Sequence, residues 1–451
     1  MSLFAFLVSY AFWLLFFIPK VRAQDDSLIL TGTAAIASLS FDDPAPTDES
    51  FFQSYESTVT VNATAEETGT GTWTATDSVY TTTSDDVVLI VGSQATSTLT
   101  SSANDTTITG NATRTATETA AVPTNTRPCN GYPELCERKY SNITEVAAHN
   151  SPFVRQGSIA SNQELDVTTQ LNDGIRMLQF QTRLHNGTVH LCHSSCELLD
   201  AGPLEDYLRT VTEWIKANPY DVVTLLIGNA DFALPGNFTA PIRDSGLIDY
   251  VYEPPKIPMA LDDWPTLSKL ILSNKRAVVF MDYMANQTEI PYILDEFSQM
   301  WETPFSPTDR NFPCVVQRPP SLRFEDAQNR LYIANHNLNT EINLLGANIL
   351  VPNTVLLNET NAVSGFGSVG AMAGNCTQIW GRPPNFLLVD YYNIGSSNGS
   401  VFQVAAEMNN VTYHGKCCGL KSSATRNIPS TGFASVQYLA LIVMTVIISQ
   451  L

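Results

Sequence analysis

The chain has 451 residues, and its 44 acidic against 24 basic side chains give a formal net charge of −20. No basic patch is visible, so we expect neither a nucleic-acid partner nor tight electrostatic binding to anionic lipid. Hydrophobic residues make up 44% of the chain, which suits a protein with a sizeable buried core.

The N-terminal segment has the composition of a secretory signal peptide. Residues 3–18 are almost wholly apolar, and Val21-Arg22-Ala23 places small residues at the −3 and −1 positions of a cleavage point. We therefore predict a signal peptide over residues 1–23 and an extracellular mature protein. No basic residue precedes the apolar run, so a signal anchor is the alternative.

Residues 24–127 differ from the rest because Thr, Ser, Ala and Asp dominate them. Few large apolar residues interrupt this stretch, and Val87-Val88-Leu89-Ile90-Val91 is the longest exception. Such a segment cannot bury enough apolar area to offset the entropy lost on ordering. Its composition also suits O-glycosylation. We predict a disordered, glycosylated stalk with no fold of its own.

Apolar and aromatic residues return near residue 128, and residues 128–420 are enough for one large α/β domain. A short strand at 145–148 precedes His149. The capping box Ser161-Asn162-Gln163-Glu164 predicts the start of a helix, and Gly174 predicts its end. Further along, strands are predicted at 175–184, 188–193, 222–227, 277–282 and 386–390, and helices at 204–219, 265–273 and 400–409.

The C-terminal segment mirrors the first. Residues 436–451 are apolar and no Lys or Arg follows them, while small residues at 422–424 and a polar spacer precede them. This layout predicts a signal for attachment of a GPI lipid anchor over residues 421–451. A short single-span membrane anchor is the alternative. Either way we expect a cell-surface protein tethered to the membrane or cell wall.

Cysteines and glycosylation sequons agree with an oxidising compartment. The chain has 8 cysteines, and Asn-x-Ser/Thr recurs from Asn62 to Asn410. We expect local disulfides Cys129–Cys136 and Cys192–Cys196, and we expect the adjacent Cys417 and Cys418 to bond elsewhere than to each other. Zinc binding by Cys192, His193 and Cys196 is the weaker alternative, because no second ligand pair accompanies them.

Alternating buried strands and helices predict an α/β protein with a parallel sheet. A closed (β/α) barrel of the TIM type is the leading architecture and an open doubly wound sheet the second, because no Gly-rich nucleotide fingerprint follows an early strand. In such a barrel, catalytic groups gather at the C-terminal ends of the strands. The predicted strand ends of this kind carry His193, Asn229, Asp282 and Asp390.

Side chains of the 175–184 strand alternate between two faces, so Gln179, Gln181 and Arg183 share one face. We expect this polar face to point into the barrel and to bind a phosphate oxygen, with Arg183 or Arg176 supplying positive charge. The alternative is a polar layer whose hydrogen bonds are satisfied within the protein.

Two histidines follow strands of this domain, His149 before Asn150 and His193 after Cys192. Brought to one pocket, they would supply the general base and the general acid for cutting a phosphodiester by attack of a neighbouring hydroxyl. The other four histidines are expected to be structural: His185, His190, His336 and His414.

Three motifs together resemble the X region of phosphatidylinositol-specific phospholipase C and its relatives, especially the secreted fungal PLC-like phosphodiesterases. They are Ala148-His149-Asn150-Ser151, the run from Gln170 to Arg176, and Leu191-Cys192-His193. The later Leu388-Val389-Asp390-Tyr391-Tyr392 resembles the last strand of the same family.

This resemblance implies a distorted TIM barrel and a phosphoric diester hydrolase. It makes His149 the base and His193 the acid, while Asp390 orients one histidine and Asn150 helps hold the phosphate or a metal. Of the other polar residues near the predicted strand ends, we include Asn229 and Asp282 among the substrate-binding candidates. The substrate would be a phospho-inositol lipid, a glycan or a similar diester, bound by a monomer.

One departure from the family concerns the counter-charge for the phosphate. Calcium-dependent relatives carry two acidic ligands on the strand where this chain has Gln179 and Gln181, and metal-independent bacterial relatives carry an arginine at the place of Gln181. Neutral amides are poor calcium ligands, so we predict no metal or other cofactor. The same departure leaves the developing charge without an obvious partner.

Two other functions compete with this hypothesis. Glycerophosphodiester hydrolysis uses the same barrel but needs a carboxylate metal cluster, which Gln179 and Gln181 argue against. A non-catalytic, anchored wall or adhesion protein that kept the barrel and lost turnover is the third possibility.

Overall fold

The computed structural model describes Pro46, residues 51–52, Val59–Thr60 and residues 127–154, 158, 160–344, 347–415 and 417–419. The predicted signal peptide, most of the predicted stalk and the predicted lipid-attachment signal lie outside these residues. Within them, no helix has both the length and the apolar character needed to cross a bilayer.

Fourteen strands occur among the described residues. Their bounds are β1 Val59–Thr60, β2 Glu145–Ala148, β3 Met177–His185, β4 Thr188–Cys192, β5 Asp200–Pro203, β6 Val223–Asn229, β7 Lys256–Ile257, β8 Ala277–Met281, β9 Leu294–Asp295, β10 Met300–Glu302, β11 Leu331–Asn335, β12 Asn339–Leu344, β13 Ala347–Pro352 and β14 Phe386–Val389. The α-helices are α1 Val167–Asp173, α2 Leu204–Ala217, α3 Thr239–Asp244, α4 Leu267–Leu272, α5 Glu296–Gln299, α6 Phe324–Ala327, α7 Leu357–Thr360, α8 Val369–Trp380 and α9 Ser400–Met408.

The main sheet is a curled parallel sheet with the strand order β10-β11-β14-β2-β3-β6-β8-β9. In chain order these eight strands follow one another around a barrel, with the seam between β9 and β10. Across the described residues no ladder joins these two strands, which are connected by the short α5. The prediction of a distorted TIM barrel is therefore confirmed, with the distortion located at this seam.

The alternation predicted for the 175–184 strand is observed. Leu178 and Phe180 face outward into the apolar layer beneath the helices, where the Phe180 ring meets Tyr207 of α2 at 5.3 Å. The inward residues of the strands form a second apolar cluster that includes Leu226, Phe280 and Leu388. Hydrophobic burial on both faces explains why these strands read as continuous apolar runs.

Tyr140 and Trp264 close the N-terminal end of the barrel, with ring centroids 4.8 Å apart and both side chains buried. We call this end the barrel base. The opposite end, lined by His149, Gln181, Asp282, Glu302 and Asp390, is called the barrel mouth. Apolar side chains such as Leu226, Phe280 and Leu388 fill the interior between the two ends.

Most predicted elements lie close to their expected positions, but one helix start does not. The capping box at Ser161 does not open a helix; α1 begins at Val167, and Asp166 caps it by accepting a hydrogen bond from the Thr169 N–H at 3.0 Å. Gly174 ends α1 as expected. Residues 161–164 are instead irregular, because the buried side chains of Asn162 and Gln163 bond at the barrel mouth.

A few described residues of the predicted stalk contact the barrel. β1 pairs antiparallel with β7. Phe52 packs its ring 4.9 Å from Phe297 and 5.7 Å from Tyr283, and Phe51 lies 4.6 Å from Phe232. Aromatic burial supplies the stabilisation that the Ser- and Thr-rich sequence around it lacks.

Disulfides join Cys129 to Cys136, Cys192 to Cys196 and Cys314 to Cys376. The two predicted local bridges are therefore confirmed, and the zinc alternative at Cys192 and Cys196 fails because both thiols are consumed. Cys417 bonds to its neighbour Cys418, so the expectation that they pair elsewhere was wrong.

Candidate active site

The ends of β2 and β4 converge on the same edge of β3. Thr182 of β3 pairs with Asn229 of β6 on one side and with Leu191 of β4 on the other. β2 and β4 pair with the same edge of β3, and β2 pairs with the first residues of β3, where Ala148 lies opposite Leu178. β2 and β4 run toward each other, so His149 and His193 enter the same short stretch of this edge.

This topology corrects one expectation about His193. β4 runs antiparallel to β3 and is the return strand of a hairpin, so His193 does not end one of the parallel barrel strands. The Cys192–Cys196 disulfide and a hydrogen bond from the His193 N–H to the Leu199 carbonyl at 2.9 Å fix the turn after it. The hairpin, rather than the barrel, carries the second histidine to the mouth.

His149 is paired with Asp390 at the mouth. Its Nδ1 lies 2.7 Å from Asp390 Oδ1, and the two side chains are 1% and 4% exposed. Because a carboxylate only accepts, Nδ1 carries the proton and Nε2 keeps its lone pair. The predicted relation between these two residues is thus present as a direct contact between β2 and β14, which are neighbours in the sheet.

Asn162 and Gln163 hold this pair and were missed by the sequence analysis. Asn162 Nδ2 donates to Asp390 Oδ1 at 3.0 Å, and Gln163 Nε2 donates to the carbonyls of His149 at 2.8 Å and Val389 at 3.0 Å. Both side chains are 1% exposed. The capping-box interpretation hid them, although consecutive amide side chains without apolar periodicity could have indicated a buried polar network.

Asn150 lies beside the second ring nitrogen of His149, Nε2. Its Nδ2 is 3.2 Å from His149 Nε2, and its backbone N–H donates to Gln179 Oε1 at 2.7 Å. The backbone of Asn150 adopts a φ of 48°, a left-handed conformation that asparagine tolerates better than most residues. Gln179, which was predicted to bind substrate, therefore holds the backbone of the loop after β2.

His193 packs against the same loop. The Phe153 ring lies 5.0 Å from the His193 ring, and the Phe153 N–H donates to the Asn150 carbonyl at 2.9 Å. Both catalytic candidates are buried, since His149 and His193 are each 1% exposed.

Gln181 points into the barrel interior and lies over β6. A side chain at Gly228 would come within 2.4 Å of the Gln181 Oε1 atom, so only glycine allows this close approach. Gln181 shares a small enclosed pocket with Asp282, Glu302 and Arg318. This brings two of the predicted residues, Gln181 and Asp282, together at the mouth.

The pocket also contains a buried ion pair that was not predicted. Arg318 donates to Glu302 Oε2 from Nε at 2.8 Å and from Nη2 at 2.5 Å, and its guanidinium lies 4.0 Å from the Phe305 ring centre. Burial alone would lower the pKa of Arg318, but the adjoining Glu302 carboxylate raises that pKa overall. Arg318 is thus a permanent cation of the barrel interior.

Carboxyl groups around this pair are protonated more readily than usual. Burial raises the pKa of Asp282 to about 7, although its Oδ1 accepts from the N–H groups of Asn229 and Tyr283. Burial and the neighbouring Glu302 also raise the pKa of Glu296 well above its usual range. The mouth therefore holds carboxyl groups that can donate as well as accept hydrogen bonds near neutral pH.

Three predicted substrate-binding residues are engaged elsewhere. Arg176 lies toward the barrel base, where Nη2 pairs with Asp221 at 2.8 Å. Arg183 pairs with Asp231 at 2.6 Å on the extension of β3 beyond the mouth. Asn229 uses its amide to bond the backbone of Ala233 and Tyr283. The sequence indicated charge and polarity correctly but not these partners.

A bound metal does not fit the described residues. They include no group of three or more His, Cys, Asp or Glu side chains arranged to hold a metal ion. Positions 179 and 181 of β3 hold Gln179 and Gln181, whose neutral amides are poor calcium ligands. We derive no step through a metal.

Comparison with known proteins identifies the family. The family model described as PI-PLC X 1 matches residues 135–409. The chain belongs to the PI-PLC X family. The matched segment contains both histidines, the hairpin and Asp390, so the convergent site described above lies wholly within this PI-PLC X domain.

Curated relatives come from fungi and plants. An uncharacterized secreted protein of Arthroderma benhamiae is 64% identical over 405 residues, covering 90% of this chain and 89% of the relative. A PI-PLC X domain-containing protein of the same fungus is 44% identical over 284 residues, 62% of this chain and 89% of its own. One from Arabidopsis thaliana is 27% identical and covers 55% of each chain.

Solved structures that match this chain include the phosphatidylinositol-specific phospholipase C of Listeria monocytogenes. It is 12% identical with a TM-score of 0.41, and the match covers 62% of this chain and 96% of that one. A mutant of the Staphylococcus aureus enzyme gives a TM-score of 0.40 at 12% identity, covering 60% and 94%.

Proposed function

We propose that this PI-PLC X protein is an extracellular phosphoric diester hydrolase that cleaves a diester bearing a neighbouring hydroxyl, without calcium. The observation that carries the proposal is the His149–Asp390 pair at the barrel mouth, with His193 brought to the same edge of β3. The preferred substrate class is a phospho-inositol lipid or glycan, because inositol carries a hydroxyl next to its phosphorylated carbon.

In the proposed reaction, His149 Nε2 takes the proton of the attacking hydroxyl as its oxygen bonds to phosphorus. Asp390, 2.7 Å from Nδ1, stabilises the imidazolium that forms. His193 gives its proton to the leaving oxygen as the bond from that oxygen to phosphorus breaks. The products are a cyclic phosphodiester and an alcohol, and each proton transfer contributes roughly 10²- to 10⁴-fold.

Turnover in this scheme is limited by charge and by access. Arg318 is held behind Gln181 by Glu302, so the charge developing on phosphorus meets amides and not a free guanidinium. Asn150 must also turn away from His149 Nε2 before substrate can replace it. We therefore expect slower turnover than an enzyme with a cation in the place of Gln181 would show.

The test measures cyclic inositol phosphate released from phosphatidylinositol. His149→Ala and His193→Ala should each lower the rate at least 100-fold, while His190→Ala serves as the matched control. His190 lies on the same hairpin, half-buried, and pairs with Asp200. Activity that survives in both active-site variants would contradict the assignment.

A non-catalytic surface protein is the second candidate. It is favoured by the burial of both histidines and by Gln179 and Gln181 in place of charged residues. Inertness of the folded wild-type protein toward lipid, glycan and simple diesters would support it. A requirement for divalent metal without cyclic product would instead favour glycerophosphodiester hydrolysis.

We also propose that the protein is secreted and carries a GPI anchor. A curated relative that is 64% identical is described as secreted, and disulfides suit that compartment. Release of the protein from intact cells by an anchor-cleaving phospholipase would support the anchor. Retention after that treatment, with extraction only by detergent, would favour a membrane span.

A further inference from the structure

A second cavity lies at the N-terminal ends of β2 and β3, away from the histidines. Its volume is about 190 Å³, roughly six times the volume that one liquid water occupies. Glu145, which begins β2, lines it, whereas His149 follows the end of the same strand. Four residues of strand separate the two positions by roughly 13 Å.

Glu145 is the buried charge of this cavity. It is 9% exposed, and its Oε1 accepts from Asn130 Nδ2 at 2.7 Å. Among the described residues its second carboxylate oxygen has no hydrogen-bond donor. Burial raises the pKa of Glu145 to about 7, and Arg176 opposes that rise.

Other charged groups leave the cavity negative. Arg176 lines it but is paired with Asp221, and Asp173 lines it from the end of α1. The carboxyl groups of Glu145 and Asp173 at the cavity, and of Asp221 on Arg176, therefore outnumber the one guanidinium. Tyr132 and Tyr413 also face the cavity. Burial raises the pKa of each; Glu145 and Glu134 raise the pKa of Tyr132 further, and Tyr132 and then Asp173 raise that of Tyr413. A cation, not an anion, is favoured by this field.

Apolar side chains form much of the remaining wall, alongside the polar side chains of Asn130, Thr144, Asn172, Asn409 and His414. The apolar side chains come from the α9 residues Phe402, Ala405 and Ala406 and from Leu135, and two tyrosine rings complete the wall. Apolar walls stabilise an alkyl body by burial, and aromatic faces attract a cation. The lining thus fits a small molecule with an alkyl body and a positive head.

We propose that this cavity binds a small primary amine, with the ammonium group directed to the Glu145 carboxylate and the alkyl chain against Leu135 and α9. A primary ammonium supplies the donors that the second Glu145 oxygen lacks. A neutral sugar or polyol would leave the apolar wall unused, so it is the rival ligand. The site is independent of the proposed hydrolase chemistry.

The experiment compares n-butylamine with its neutral isostere butan-1-ol on the whole secreted protein by ligand-observed NMR titration. At pH 8, where Glu145 is ionised, butylamine should bind at least tenfold more tightly. At pH 5.5, where Glu145 is protonated, the preference should fall below threefold. Equal binding of both probes at pH 8, or tighter binding of myo-inositol than of butylamine, would overturn the proposal.

Variants assign the effect to Glu145. Glu145→Gln should abolish the preference for the amine at pH 8. Ala405→Leu should block binding of both probes by filling the cavity. If either variant keeps the wild-type preference, the proposed binding site is wrong. His414 lines the cavity too, so His414→Gln must keep the pH dependence. His149→Ala should leave amine binding unchanged.

Discussion

Replacing Arg318 with methionine should destabilise the barrel by about 3–5 kcal/mol, because it leaves Glu302 buried without its counter-charge. The Arg318 and Glu302 side chains are 7% and 1% exposed, so water cannot replace the lost cation. Glu296 and Asp282 lie in the same pocket and add to the negative charge. For a domain of this size the loss corresponds to roughly 6–15 °C in Tm.

The assay is urea unfolding of Arg318→Met, Glu302→Gln and the double variant, followed by far-UV circular dichroism at pH 8. Removing both partners should cost less than the sum of the single losses by at least about 2 kcal/mol. At pH 5 the loss in Arg318→Met should shrink, because carboxyl groups deprived of their cation take up protons.

Arg323→Met is the matched control. Arg323 pairs with Asp326 on the surface, three residues away on the chain, and is 73% exposed. Its replacement should change stability by less than about 0.5 kcal/mol. If Arg318→Met costs no more than this control, or if the two single losses simply add, the claim of a buried, mutually dependent pair is refuted.

Three further predictions concern the site, the disulfides and pH. Asn162→Ala should slow cyclic phosphate release about tenfold or more with little change in Tm, because Asp390 loses a hydrogen-bond donor. The Asn393 amide donates to Glu164 on the surface, so the control Asn393→Ala should leave the rate unchanged. Loss of the Cys314–Cys376 disulfide, which joins residues 62 apart, should lower the free energy of unfolding by roughly 4 kcal/mol. Loss of Cys129–Cys136, which joins residues 7 apart, should lower it by roughly 2 kcal/mol. Equal losses in calorimetry would contradict the loop-length argument. The pKa of Asp282 is about 7 in the folded protein and 3.8 in the unfolded chain, so the native state binds the extra proton between these values. Stability should therefore fall as the pH rises from 3.8 to 7. The free energy of unfolding should differ less between pH 5 and pH 8 in Asp282→Asn than in the wild type.

The local pattern of apolar residues predicted the barrel strands well where both faces of a strand are buried. The 386–390 and 222–227 runs are strands because continuous apolar sequence between turn signals has few other folded solutions. The capping box at Ser161 failed because Asn162 and Gln163 gain more from bonding Asp390 and the β2 and β14 carbonyls than from starting a helix. A motif of four residues does not contain that competing tertiary contact.

Sequence alone determined the fold class and the two short-range disulfides, since these follow from periodicity and from short loops. It also singled out His149 and His193 as candidates, from motif chemistry. Tertiary structure decided which polar residues meet: Arg176 and Arg183 are taken by aspartates, while Arg318 and Glu302 form the charged interior. The reason is that charge pairing depends on separation in space, and strands far apart in the chain become neighbours only when the sheet curls.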